Sequence, residues 1–112
     1  MAYNEFLADR VRLLLHEQNQ PFFEKKMMGG LVFMVDDKMC VGIVKEDLMA
    51  RIDPAFHDEA ITKKGCRTMD FTTRPMKGYV FVDPEGVDMD KDLEYWINLA
   101  LEYNPLAKSS KK

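Results

Sequence analysis

Leu7, Val11, Leu14 and Leu15 recur at intervals of three and four and line one side of a helix, which the pattern places from about Asn4 to Gln18. Asn4 caps its start. Asn19-Gln20-Pro21 ends it, because proline lacks an amide donor and restrains the residue before it. From Phe22 to Ile52 the pattern shifts to short β-type runs. Leu31–Val35, Met39–Val44 and Leu48–Ile52 are separated by Asp36-Asp37-Lys38 and Lys45-Glu46-Asp47, turns short enough to join antiparallel neighbours. The first two runs are apolar on both faces, as in a covered central strand. In the third, Leu48, Ala50 and Ile52 alternate with Met49 and Arg51, which predicts a half-exposed strand.

Asp53-Pro54 opens a second helix, with aspartate as cap and proline at the first helical position. It is expected to run to about Lys64, bury Phe56, Ala60 and Ile61, and stop at Gly65. Thr68–Thr72 and Lys77–Val82 follow as strands, Asp83-Pro84-Glu85-Gly86 as a turn, and about Asp88 to Tyr103 as the last helix. The order predicts an α+β, two-layer fold, an antiparallel sheet with flanking helices in the sequence α-β(3–4)-α-β(2)-α. One domain over residues 1–104 and a disordered polar tail over 105–112 are expected.

Composition agrees with one domain. The 112 residues are 46% hydrophobic and 31% charged, enough to bury a core. The longest apolar run, Leu31 to Val35, is far short of the about 18–20 residues that cross a bilayer. The start, Met1-Ala2-Tyr3-Asn4-Glu5, lacks the basic and apolar regions of a secretory signal. Cys40 and Cys66 are therefore expected as reduced thiols and the cytoplasm as the location. A net charge of −3 argues against a general nucleic-acid binder, although Lys63–Lys77 is locally basic and Asp83–Glu102 acidic.

Candidate chemistry is sparse. His16 and His57 both fall on predicted helices, and no Gly-x-Ser-x-Gly elbow presents a serine. Cys40, Cys66, His16 and His57 stand singly, without the close pairs of a zinc site. Asp88-Met89-Asp90-Lys91-Asp92 imitates the start of a calcium loop, but the sixth and twelfth positions, where glycine and glutamate are required, hold Leu93 and Leu99. Gly29-Gly30 makes neither a P-loop nor a dinucleotide fingerprint. No catalytic residue, metal or cofactor is predicted.

Two segments combine basic residues, methionine and glycine: Lys25-Lys26-Met27-Met28-Gly29-Gly30 and Arg74-Pro75-Met76-Lys77-Gly78-Tyr79. Lys25, Lys26, Arg74 and Lys77 are the candidate partner-binding residues, for a protein or, less favoured, a nucleic acid. Met27, Met28, Met34 and Met76 either join that surface or pack the core. The last helix carries Leu93, Trp96, Ile97, Ala100 and Leu101 on one stripe and Tyr95, Leu99 and Tyr103 on another. That second stripe is the candidate homodimer interface.

The Lys25–Met34 segment, Asp47-Leu48-Met49, Met69–Tyr79 and Trp96 together resemble the N-terminal domain of the TfoX/Sxy competence-regulator family, over about Met1 to Leu101. The family commonly has an aromatic residue in place of Met28 and a glycine in place of Thr73. The resemblance implies a two-layer fold like that of type III secretion chaperones, and a link to competence regulators that act with the cyclic-AMP receptor protein. It carries no established catalytic residues. Full-length members continue into a C-terminal domain of helix-hairpin-helix character, whereas this chain ends at Lys112 and is expected to stand alone. The expected function is a non-enzymatic regulatory or protein-interaction domain. The alternatives are a nucleic-acid-associated protein, and an enzyme built around His57 or Cys66.

Overall fold

The computed structural model describes residues 3–27, 29–69 and 76–106. Helix α1 spans Glu5–Glu17, and the Asn4 side chain accepts hydrogen bonds from the Phe6 and Leu7 amides at 2.9 and 3.2 Å. The Asn4 amide donates to the Lys45 carbonyl at 2.7 Å, so the cap also ties the helix start to the sheet. Strands β1 (Phe23–Met27), β2 (Gly30–Val35), β3 (Lys38–Val44) and β4 (Asp47–Arg51) form the expected antiparallel meander. β1 is a strand that hydrophobic periodicity did not single out; its ladder with β2 defines it. A 3-10 turn (Pro54–Phe56) and the short α2 (His57–Ala60) lead to β5 (Cys66–Met69) and β6 (Met76–Val82). A second 3-10 turn (Pro84–Val87), α3 (Asp90–Tyr103) and a third 3-10 turn (Asn104–Leu106) complete the described chain; most of the tail expected from 105 lies outside it.

Among the described residues the sheet has six strands in the order β1-β2-β3-β4-β6-β5, every pairing antiparallel. Helices α1 and α3 cover one face, as the α+β reading requires. Leu7, Val11 and Leu15 of α1 and Leu93, Trp96, Ile97 and Ala100 of α3 pack on Leu31, Phe33, Val41, Ile43, Leu48, Ala50, Val80 and Val82. A smaller cluster of Val32, Met34, Met49 and Phe81 lies on the opposite face. Met49 is fully buried there, so β4 is less exposed than its alternation suggested. Met34 is core, while Met28 and the side chains of Met27 and Met76 lie outside the described residues.

The second helix is shorter than predicted. Ile61 still donates to the carbonyl four residues back, but Thr62 and Lys63 donate to Glu59 and Ala60, three residues back, and the turn tightens. The Thr62 hydroxyl also donates to the Glu59 carbonyl at 2.6 Å. Ile61 is 36% exposed and gives little apolar anchorage for further turns. Gly65, at φ +77°, redirects the chain, but α2 has already ended at Ala60, so it is not the helix stop read from the sequence. No helix among the described residues is long and apolar enough to cross a membrane.

Candidate functional site

His57, Cys40 and Cys66, the residues with reactive side chains weighed from the sequence, are buried or half-buried. His57 is buried, and its Nδ1 accepts the Gly78 amide at 2.9 Å. That bond joins the 53–60 segment to β6 where Gly78 adopts φ +91°. His57→Leu is expected to leave the Gly78 N–H without its acceptor and to cost about 1–3 kcal/mol. His57→Asn, whose amide oxygen can occupy the place of Nδ1, should recover part of that loss, read as the midpoint of urea unfolding.

Burial pushes the Cys40 thiol up to about 12 against a weaker pull from Arg51, and the Cys66 thiol up to about 11 against Arg67. Both remain protonated at neutral pH, the opposite of what an attacking thiolate needs. Arg10 draws on the acids of the calcium-like segment, bonding the Asp88 carbonyl at 3.3 Å and the Asp90 carboxylate at 3.1 Å. Among the described residues no three His, Cys, Asp or Glu side chains gather as metal ligands.

The candidate basic residues occupy separate places. Lys25 and Lys26 are exposed on β1, and as consecutive strand residues they face opposite sides of the sheet. The Lys77 backbone lies on β6, which the strand order places about 19 Å from β1. Arg74 and the Lys77 side chain lie outside the described residues.

The stripe of α3 is divided between two clefts. Tyr95, 38% exposed, borders a cleft of about 630 Å³ with Lys63, Lys64, Met89, Asp92 and Trp96. Lys63 Nζ stands 5.5 Å from the Tyr95 ring centroid, a cation–π contact that joins the 61–65 turn to α3. Leu99 and Tyr103 line a second cleft of about 440 Å³ with Ile52, Phe56 and Leu106, and with Asp53 and Glu102 as its charged members. Leu106 is 72% exposed, so an apolar rim is left open to solvent. Asp53 caps the first 3-10 turn through a 2.9 Å bond from the Ala55 amide, which holds Phe56 at the cleft wall. Asn104 is buried and donates to the Val35 carbonyl at 3.2 Å, while Lys38 Nζ donates to the Asn104 carbonyl at 3.1 Å. These bonds clamp the end of α3 to the β2–β3 turn and place Leu106.

Periodicity reveals Leu99, Tyr103 and Ile52 and marks Phe56 as apolar, but not Leu106, nor that these residues, from α3, the residue after β4 and two 3-10 turns, meet in one cleft. An isolated apolar residue after Pro105, in an otherwise polar tail, was the available signal for Leu106. The second cleft can take up an apolar side chain and favours a cation beside Asp53 and Glu102. Compared with known proteins, the chain matches the TfoX N-terminal domain family over residues 14–103. No curated protein and no solved structure matches it.

Proposed function

Since the chain belongs to the TfoX N-terminal domain family, we propose that it works as a non-enzymatic regulatory domain that binds a protein partner. The observation that carries this reading is the cleft of Ile52, Phe56, Leu99, Tyr103 and Leu106, apolar and open at Leu106, with carboxylates at its margin. A partner segment with an apolar anchor flanked by lysine or arginine fits that chemistry. The setting proposed for this exchange is the cytoplasm.

Affinity capture from the native cell, with and without nuclease, tests the reading when wild type is compared with Leu106→Glu. The change adds charge at an exposed position and leaves the core untouched. A protein retained after nuclease by wild type and lost by Leu106→Glu is the expected result. Nucleic acid in the eluate, lost in a Lys25, Lys26, Arg74 and Lys77 quadruple alanine variant, would instead favour nucleic-acid association. Capture unaffected by Leu106→Glu would remove the cleft from the account.

A further inference from the structure

β1 is an edge strand, and Phe23 to Lys26 are all exposed on it. The β1–β2 register pairs Met27 with Gly30 across a two-residue connection. In such a hairpin the closing pair is hydrogen-bonded, and alternation makes Lys25/Val32 and Phe23/Met34 hydrogen-bonded pairs as well. The next ladder agrees with this phase. Leu31 pairs with Ile43, and a Cβ built on Gly30 or Gly42 would run into the Ile43 or Leu31 carbonyl oxygen, at 2.1 and 2.8 Å. Leu31 therefore bonds towards β3, and Val32 towards β1. The backbone N–H and C=O groups of Glu24 and Lys26 consequently point away from the sheet.

We propose that β1 pairs with β1 of a second copy, antiparallel about a two-fold axis at Lys25, joining two sheets into one. This register sets Glu24 opposite Lys26 of the second copy, and Lys26 opposite its Glu24, and both rungs use the outward-pointing backbone groups. Shifting the register by two residues in either direction while keeping the symmetry sets Glu24 against Glu24 or Lys26 against Lys26, which like charge disfavours. Charge complementarity thus selects one symmetric pairing of this strand with itself. Arg12 already holds the Glu24 carboxylate through bonds of 2.5 and 2.8 Å, fixing it on the helix-covered side of the strand where Lys26 of the second copy would arrive. Phe23, 49% exposed in the single chain, gains cover at the junction. Lys25 stands opposite itself, which weakens the pairing and makes it concentration-dependent.

Lys25→Cys tests the register directly. A non-hydrogen-bonded pair on the axis brings the Cα atoms to about 4.5 Å, within the span of about 4.4–6.8 Å that a disulfide accepts. Under mild oxidation Lys25→Cys should form a covalent dimer several-fold faster than Lys26→Cys, with wild type as control for Cys40 and Cys66. Because that change also removes the opposed lysine charge, light-scattering mass is measured on the unmodified strand too. Wild type should rise towards twice the monomer mass with concentration. Lys26→Glu and Glu24→Lys should each stay monomeric alone and associate when mixed, since both charged rungs are restored in the mixed pair. Wild type monomeric throughout, equal cross-linking at positions 25 and 26, or a dimer lost only in Leu106→Glu would overturn the proposal.

Discussion

Phe33→Ala is expected to lower the unfolding free energy by about 3–5 kcal/mol, the cost of emptying a large, fully enclosed aromatic site. Phe33 has no solvent exposure and lies in the principal core between the sheet and the helices. Its ring stands 5.6 Å from that of Phe22, which in turn meets His16 edge-on at 5.4 Å. Truncation therefore removes the buried partner of the chain that links the end of α1 to the sheet. Urea unfolding followed by circular dichroism should show the midpoint fall with little change in slope. A loss below about 1 kcal/mol would mean that the core collapses around the gap and is less firmly packed than its burial implies.

Gly65→Ala is expected to cost about 2–3 kcal/mol from two separate sources. The residue sits at φ +77°, where an L side chain costs about 1–2 kcal/mol. A Cβ there would also stand 2.3 Å from Asp83 Oδ1. That oxygen accepts the Gly86 amide and caps the Pro84–Val87 turn, so displacing it adds about 1 kcal/mol. Gly29→Ala is the matched control: its φ is +74°, and among the described residues, its chain neighbours aside, a Cβ would find no atom within 4 Å. The two variants should share the backbone cost and differ by the lost cap. Equal urea midpoints would show that Asp83 moves aside without penalty.

How far the sequence disclosed this molecule depended on how local each signal was. Asn4 and Asp53 act on neighbours a few residues away, so the start of α1 and the start of the 3-10 turn could be read directly. Leu31–Val35 and Met39–Val44 announced strands covered on both faces; the first is buried throughout and the second from Cys40 to Ile43. Phe23–Met27 gave no comparable pattern because Glu24, Lys25 and Lys26 are polar on either face; pairing with β2 alone makes it a strand. The 53–64 stretch read as one helix because its cap and stop were in place. Its three-residue hydrogen bonds and exposed Ile61 shorten it.

Long-range placement set the limits of the functional reading. Tyr95, Leu99 and Tyr103 share a helical stripe in sequence, yet neighbouring segments divide them between two clefts. Lys25, Lys26 and Lys77 belong to similar motifs, but strand order and alternation send them to different places.

Sequence by itself determined the α+β class, the α1 and α3 faces, the covered central strands and the family, because each follows from periodicity, capping or ordered motifs within short spans. Tertiary structure alone decided that His57 accepts a backbone amide, that Leu106 joins Phe56 at the rim of a cleft, and that β1 lies at the edge of the sheet among the described residues. Each of these depends on which distant segments become neighbours, and a one-dimensional pattern encodes that only through the packing and pairing of the whole fold.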